Sequence, residues 1–424
     1  MKQIIQLGGL SAANTVMTFL LQWYVLVQLG TGAETDAMFA GMTIPQLVLV
    51  VISGSLTHVL VPILAGENEV RQQQEAWSLI FLVGGLFGVI AILLYVTASL
   101  WIPITVPGFD EAGKALTIEL ARIQLLSMMF TAINGVQISV YYARQQFVWA
   151  ELIPIASSII VFPFLIWGLP RYGVVVAVWI STLRVVLQTF LLVFAIGKPV
   201  YPDLKSAAIK QVWLRIKPLL LGTAYYKTDT LVDRFLLSTA SSGSLSLYFL
   251  AQQIYGSVSQ VLDKAIAAPV VPILSKLYKL RNKEEFIKVY DQKLKLMGMI
   301  SLASLFIFAL VGEHILNFFV GHGNINAKNI SELWWIMIWL GGMFVGGVAG
   351  QITSSAFYAS GDTTTPTRIG IYTYTLYIPL KILVFYFFGV KGLAIITSLF
   401  VLINLFFQNY LLKSNRTSSN FDSY

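Results

Sequence analysis

Long apolar runs recur along the whole chain, each of 20 to 30 residues, separated by glycines, prolines or charged clusters. A helix of about 20 residues is about 30 Å long, which is the thickness of the hydrocarbon core of a bilayer. Only 11% of the 424 residues are charged, whereas soluble domains carry about 25%. The sequence therefore predicts an all-α polytopic membrane protein.

Twelve segments have the length and hydropathy of transmembrane helices. They lie near residues 4–29, 38–64, 77–102, 115–142, 147–168, 172–197, 214–240, 245–275, 290–320, 331–359, 368–388 and 392–412. With a cytoplasmic N-terminus, 18 of the 28 Lys and Arg residues fall in cytoplasmic segments or at the cytoplasmic ends of spans, and four fall in outer loops. This distribution follows the positive-inside rule and places both termini in the cytoplasm.

The composition also limits the chemistry. The net charge of +8 is explained by the cations that orient the helices, so we expect a lipid bilayer and no nucleic acid as partner. The chain has no Cys, its three His are isolated, and it has no phosphate-binding loop of the ATPase type. We therefore expect neither a metal site nor a cofactor, and no ATPase activity in the chain itself.

Two stretches of the chain repeat. Val61-Pro62-Ile63-Leu64 recurs 210 residues later as Val271-Pro272-Ile273-Leu274, and Tyr172-Gly173-Val174 recurs 216 residues later as Phe388-Gly389-Val390. Because six is even, two six-helix copies enter the membrane from the same side and form parallel repeats. The predicted division is a first half (1–200), a cytoplasmic linker (201–213), a second half (214–412) and a disordered cytoplasmic tail (413–424).

Charged residues inside predicted spans are costly, so each needs a partner or a water-filled cavity. Glu119 and Arg122 lie three residues apart near the outer end of the fourth span, where a local ion pair accounts for both. Arg184 lies twelve residues into the sixth span, close to the midplane. It is either a structural tie or a group that lines a cavity.

The seventh predicted span contains four charged residues. At 100° per residue, Asp229 and Asp233 share one helical face, while Lys227 and Arg234 share another. The two carboxylates therefore need a cation from another helix, a bound metal ion, or a proton retained on one of them. Lys381, at similar depth in the eleventh span, is the best candidate among the side chains.

The eighth predicted span adds Gln252, Gln253, Asp263 and Lys264. Together with the charges of the seventh span, these residues form either the lining of a hydrated cavity or a static buried network. The pattern alone is compatible with both.

Several motifs occur in the order in which they occur in a known family. They are Thr35-Asp36-Ala37-Met38-Phe39-Ala40 with Ile44-Pro45, Val232-Asp233-Arg234 with Gly243-Ser244-Leu245-Ser246-Leu247-Tyr248, and Phe357-Tyr358-Ala359 with Gly361-Asp362-Thr363-Thr364-Thr365-Pro366. In these segments the chain resembles the MurJ/MviN lipid II flippases. The resemblance implies the fold of the multidrug/oligosaccharidyl-lipid/polysaccharide (MOP) exporters, with a cavity between two six-helix halves. It also implies flipping of a polyprenyl-diphosphate-linked saccharide across the bacterial cytoplasmic membrane by a single chain.

The candidate site residues follow from the polar groups inside the predicted spans and from where the chain departs from the family. Members of the family usually carry arginines on the first, second and eighth helices, whereas this chain has Gln22 as the most polar residue of that part of the first helix and Gln253 at the eighth-helix position. The candidate substrate-binding residues are Asp36, Gln22, Arg184, Lys227, Arg234, Gln252, Gln253 and Lys264. Some members bind sodium through an aspartate that matches Asp233. Our hypothesis is that the ammonium of Lys381 replaces the ion in this chain, with Asp229 completing the candidate coupling group.

The membrane potential or a Na⁺ or H⁺ gradient is the expected driving force. Moving two negative charges outward through 100 mV releases about 4–5 kcal/mol. We expect a transporter and not an enzyme, and two rival functions belong to other classes. A cation-coupled multidrug antiporter would use the acidic pair as its ion site, and a membrane-embedded enzyme would need a catalytic acid or base, for which His58, His314, Asp110 and Glu111 are scattered candidates.

Overall fold

The computed structural model of the chain describes residues 2–53, 56–65, 68–203, 205–206, 209–213, 225, 227–362 and 364–414. In this part of the chain the secondary structure is helical, without a β-strand. Two compact units are present, Met1–Ser246 and Leu247–Tyr424. The predicted linker, the start of the predicted seventh span and the tail from residue 415 lie partly or wholly outside the described residues. The predicted division into halves stays a prediction.

The helices of the first unit are joined by short connections, except that residues 197–228 separate the last two. They are α1 (Lys2–Leu29), α2 (Ala33–Gly41), α3 (Thr43–Ser53), α4 (Leu56–Leu64), α5 (Glu69–Val96), α6 (Ala98–Thr105), α7 (Glu111–Ala143), α8 (Phe147–Ile196) and α9 (Asp229–Ser238). The next helix, α10 (Ser244–Leu262), begins in this unit.

The second unit continues α10 into one turn of π-helix (Asp263–Ala267). Its further helices are α11 (Ala268–Lys279), α12 (Lys283–Val320), α13 (Ala327–Trp339), α14 (Gly341–Ala359) and α15 (Thr364–Lys413).

The 50-residue segments α8 and α15 are helical hairpins. Each contains one non-helical residue, Gly173 with φ 66° and ψ −156°, and Gly389 with φ 58° and ψ −143°. Only glycine adopts this conformation readily. Past the turn the chain folds back, since the side chains of Tyr377 and Thr397 are hydrogen-bonded at 2.8 Å. In one straight helix these residues would be about 30 Å apart.

The same reversal occurs in α8, where a Cβ atom built on Gly168 would lie 3.7 Å from Ile180 Cδ1. The two turns occupy equivalent positions of the sequence repeat, 216 residues apart. The repeat found in the sequence thus has the same backbone geometry in both copies at this point.

Among the described residues, seven helices are long and apolar enough to cross a membrane, or up to nine if each of two bent helix pairs counts as one span. These numbers treat α8 and α15 as one span each. The fold class predicted from the sequence is confirmed, and the exact number of twelve is not, because the predicted span 214–240 lies partly outside the described residues. The chain is a multi-pass helical membrane protein.

Polar residues mark where the long helices begin. Asn68 and Asp110 each accept a hydrogen bond from the backbone amide three residues ahead, at 2.9 Å and 2.7 Å, at the starts of α5 and α7. Asn282 and Asn326 do the same for α12 and α13. Such caps satisfy amide groups that have no partner inside the helix. They explain why these spans begin where they do.

The hydrophobic core of the first unit lies where α4, α5 and α7 meet. Leu60 and Leu64 of α4, Leu79 of α5, and Leu125 and Met128 of α7 are at most 1% exposed. Burying such side chains stabilises a helix pair by packing, since lipid is as apolar as the protein interior. This core holds α5 and α7 side by side.

The expected ion pair between Glu119 and Arg122 is wrong. Arg122 instead donates from Nε to the carbonyl oxygen of Tyr95 at 3.3 Å, and its guanidinium lies 4.8 Å from the centre of the Tyr95 ring. Tyr95 is in the last turn of α5, where carbonyl groups lack helical partners and the helix dipole favours a cation.

Candidate transport site

The carboxylate of Asp36 is buried at the start of α2, with 3% of the residue exposed. It accepts hydrogen bonds from the backbone amides of Gly243 and Ser246, at 2.6 Å and 2.7 Å, and from the Ser246 hydroxyl at 2.7 Å. Because α10 begins at Ser244, the carboxylate lies at the N-terminus of that helix, where unpaired amides and the helix dipole favour negative charge. Asp36 therefore ties the start of α10 to α2.

The sequence predicts Asp36 as a substrate-binding residue and does not predict its hydrogen bonds to Gly243 and Ser246. One signal could have found them, since Ser246 stands 210 residues after Asp36, at the equivalent position of the repeat. Thr35 extends the contact, with its hydroxyl 3.4 Å from the Ser246 hydroxyl. The contact thus joins corresponding positions of the two sequence copies.

Helix α9 contributes Asp233 and Arg234, each only 2% exposed. Arg234 is close enough to Asp36 to interact with it electrostatically. The structure therefore brings together two predicted site residues from different spans. Asp229, at the first position of α9, is half-buried, and Lys227 just before it is exposed.

Arg184 lies on the second arm of the α8 hairpin, eleven residues after Gly173 and twelve before Ile196. It is therefore about 16 Å from the turn, near the middle of the arm. It is half-buried and makes no hydrogen bond or ion pair with any other described residue. A cation in this position is available to an anionic ligand.

The predicted glutamines retain hydrogen-bonding capacity. The side-chain oxygens of Gln22 on α1 and Gln253 on α10 are buried and accept no hydrogen bond from the described residues. Gln252 is half-buried, and Lys264 is exposed in the π-helical turn. Buried amide oxygens of this kind normally find a donor, and the hydroxyl and amide groups of a saccharide are donors.

Lys381 on α15 is completely buried. Its ammonium nitrogen lies 5.0 Å from the centre of the Tyr377 ring, one helical turn earlier. The Tyr377 hydroxyl is paired with the Thr397 hydroxyl at 2.8 Å, and Thr397 lies 3.3 Å from the Tyr248 hydroxyl. The predicted interaction of Lys381 with the acidic residues of the seventh span stays a prediction.

No metal centre is evident in the described residues, which contain no group of three or more His, Asp or Glu side chains able to hold an ion. Two candidates for enzymatic acid or base have structural partners instead. Asp110 caps α7, and Glu111 pairs with Lys114 at 2.9 Å. The His58 side chain lies outside the described part of the chain.

The multi-pass helical fold, with hairpins at equivalent positions of a sequence repeat, is similar to the fold of transporters of the MOP superfamily. The inward-facing structure of a multidrug-resistance transporter of the MATE family, within the MOP superfamily, has the same fold. Its TM-score is 0.77 at 16% identity, covering 98% of this chain and 95% of that one.

The chain belongs to the lipid II flippase MurJ family, whose family model matches residues 27–421. The probable lipid II flippase MurJ of Vibrio cholerae is 19% identical over 95% of this chain and 82% of its own length. A solved structure of lipid II flippase MurJ in an inward closed conformation has a TM-score of 0.81 at 21% identity, covering 95% of this chain and 87% of that one. The family resemblance and fold predicted from the sequence are confirmed.

Proposed function

We propose that this protein flips lipid II, or a related polyprenyl-diphosphate-linked saccharide, from the inner to the outer leaflet of the bacterial cytoplasmic membrane. The observation that carries the proposal is the family match across residues 27–421. The charge distribution favours cytoplasmic N- and C-termini. Both sequence repeats lie in one chain, which favours a monomer as the working unit.

A diphosphate-linked sugar cannot cross hydrocarbon unaided, because each unpaired polar group costs kilocalories. Arg184, which has no partner among the described residues, is the proposed ligand of the diphosphate. Gln22 and Gln253 have acceptor oxygens to offer to the saccharide. The arginines that the family usually carries are absent from their positions, so we expect fewer charge-assisted contacts to the diphosphate than in its relatives.

The contact between Asp36 and the start of α10 is the proposed outer latch of the transport cycle. It lies at the predicted outer ends of the second and eighth spans. Three hydrogen bonds to one carboxylate hold it. Outward release of the headgroup requires these bonds to exchange for water, and Arg234 is placed to stabilise the exposed carboxylate.

The proposed driving force is the membrane potential, which releases about 4–5 kcal/mol when two negative charges move outward through 100 mV. A Na⁺ or H⁺ gradient acting through Asp229, Asp233 and Lys381 is the alternative. Transport without chemical conversion of the cargo follows from the family, so we propose a transporter and not an enzyme. The multidrug antiporter is the less supported function, since its evidence is the likeness of fold alone.

Complementation tests the proposal. The gene is expressed in a bacterial strain whose own lipid II flippase can be depleted, and growth is followed after depletion. We expect sustained growth without lysis with the wild-type chain. If the wild-type chain is present in the membrane at the level of a rescuing relative and the cells still lyse, lipid II is not the cargo.

A matched pair of variants makes this test specific. Arg184→Gln removes the proposed diphosphate ligand, and Arg171→Gln removes a cation of the same hairpin that lies over the Trp167 ring, 4.5 Å from its centre. We expect the first variant to fail and the second to rescue at equal membrane levels. Equal rescue by both would remove Arg184 from the substrate site.

A further inference from the structure

A groove of about 640 Å³ lies on the outer surface of the first unit, between α5, α7 and the second arm of α8. Its floor is formed by small residues of α5, Gly88 and Ala91, and its walls by Met129 of α7 and Trp179 of α8. Tyr95 and Trp179 at its rim are half-exposed. Aromatic rings of this kind concentrate at the level of the lipid headgroups.

One end of the groove is charged, with Glu119 and Arg122 in its wall. Glu119 is exposed and makes no ion pair or hydrogen bond with any other described residue. Arg122 uses Nε for the Tyr95 carbonyl, and its two terminal nitrogens donate to no described residue. Both charges of this pair are therefore available to a ligand.

A second acidic and basic pair on α7 shows that two residues three positions apart on this helix can form an ion pair. Glu111 and Lys114 are also three residues apart, and they form an ion pair at 2.9 Å. Glu119 and Arg122 share the spacing and lack the contact. Their Cβ atoms are about 5–6 Å apart, as in any such helical pair.

The charged end lies at the depth of lipid headgroups. Helix α7 has 33 residues and is about 50 Å long, roughly 20 Å more than the hydrocarbon core. Glu119 is eight residues from its start, about 12 Å, and a centred helix extends about 10 Å beyond the core at each end. Side chains of helices point toward the N-terminus, so the Arg122 guanidinium is raised toward the same level.

The opposite end of the groove is apolar. From Arg122 to Met129 on α7, and from Tyr95 to Gly88 on α5, the helices descend about 10 Å into the hydrocarbon. The lining there is aliphatic, with Leu125, Leu126 and Met129 facing the floor at Gly88. An acyl chain fits such a lining, whereas a soluble polar ligand does not.

We propose that this groove binds a glycerophospholipid with a primary ammonium headgroup, of the phosphatidylethanolamine class, with its phosphate on Arg122 and its ammonium on Glu119. In ethanolamine two carbons separate the phosphate ester oxygen from the nitrogen, a spacing that suits neighbouring charges on one helix turn. A primary ammonium donates hydrogen bonds to a carboxylate, and guanidinium pairs well with phosphate. The charge distribution of the chain places the site in the outer leaflet.

The same geometry discriminates against other lipids. A choline headgroup has a quaternary nitrogen without a hydrogen to donate, so it cannot hydrogen-bond to Glu119. A glycerol headgroup carries the phosphate charge without a cation, which leaves Glu119 unpaired beside an anion. The site lies within the first unit and does not depend on which cargo is transported.

Native mass spectrometry of the purified full chain tests the proposal. The protein is incubated with phosphatidylethanolamine, phosphatidylcholine or phosphatidylglycerol of identical acyl chains, and retained adducts are counted. We expect phosphatidylethanolamine to bind about tenfold more tightly than phosphatidylcholine, the effect of one charge-assisted hydrogen bond. Equal retention of the three lipids by the wild-type chain would overturn the proposal.

Three variants locate the site. Glu119→Gln is expected to abolish the preference over phosphatidylcholine, and Ala91→Phe, which fills the floor, to remove the adduct of highest affinity. Glu111→Gln is the matched control on the same helix and is expected to keep the full preference. A Glu119→Gln protein that still prefers phosphatidylethanolamine, with Ala91→Phe retaining the adduct, would place the lipid elsewhere and contradict the assignment.

Discussion

Hairpins α8 and α15 turn back at equivalent glycines, and each carries a charge inside its spans, but on different arms and in different surroundings. Arg184 lies on the second arm of α8, half-buried, without a partner among the described residues. Lys381 lies on the first arm of α15, fully buried beside the Tyr377 ring. The repeated fold thus supplies one cation available to a ligand and one built into the protein core.

The duplicated backbone therefore does not fix the role of a charge. The position equivalent to Arg184 in the second repeat is Phe400, whose ring stacks on Tyr377 at 4.2 Å between centres. The position equivalent to Lys381 in the first repeat is Leu165, which is 2% exposed. Each copy therefore has an apolar residue where the other copy has its cation.

The largest effect is expected for Lys381→Ala. Removing a buried side chain of this length leaves a cavity, and we expect the free energy of unfolding to fall by about 2–4 kcal/mol, as for large-to-small core substitutions. Equilibrium denaturation of the purified variant and wild-type proteins measures this difference in the free energy of unfolding. Lys381→Met, which keeps the volume, is the control, and an equal loss in both variants would show that the charge matters more than packing.

A smaller effect, on transport and not on stability, is expected for Arg184→Gln. Losing a charge-assisted contact to a diphosphate should lower the flipping rate about 10- to 100-fold. The rate is measured with a fluorescent lipid-linked substrate in proteoliposomes. A fall in unfolding free energy as large as that of Lys381→Ala would contradict the contrast between the two cations.

Alanine substitution should destabilise the protein to the same extent at each of the two hairpin glycines. The positive φ of Gly173 and Gly389 is strained for any residue with a Cβ, so Gly173→Ala and Gly389→Ala should each reduce the free energy of unfolding by about 1–3 kcal/mol. Thermal unfolding compares them directly. A large effect in one hairpin and none in the other would break the equivalence of the turns.

The smallest effect is expected for Tyr377→Phe. It removes the hydroxyl that pairs with Thr397 and keeps the ring beside Lys381. The loss of one hydrogen bond should cost about 0.5–1.5 kcal/mol. Tyr377→Leu, which also removes the ring, should lower the free energy of unfolding further. Equal stability of the two variants would show that the ring does not stabilise Lys381.

Much of the fold was predictable because hydropathy and repeats are properties of the sequence alone. The predicted break between the eleventh and twelfth spans contains Gly389, where α15 turns, and the predicted break between the fifth and sixth spans ends two residues before Gly173, where α8 turns. The apolar run length sets the helix length because the bilayer has a fixed thickness. The number of spans was less accessible, since span 214–240 is interrupted by four charged residues from Lys227 to Arg234.

The site was predicted less completely because its contacts join residues far apart in sequence. The partners of Asp36 lie 207 and 210 residues away, and only the tertiary fold brings them together. The expected pair of Glu119 and Arg122 failed for a local reason. The end of α5 offers Arg122 a carbonyl oxygen and an aromatic face, which a helical-wheel argument on α7 alone cannot include.

The proposed flipping of lipid II is tested directly by measuring the leaflet in which lipid II resides. Cells depleted of their own flippase and expressing this chain are exposed to an external enzyme that cleaves lipid II, and the cleaved fraction is quantified. We expect lipid II to be cleaved with the wild-type chain to the level of normal cells, and to stay protected with Arg184→Gln. Lipid II that stays protected although the wild-type chain is present in the membrane would contradict the proposed flipping.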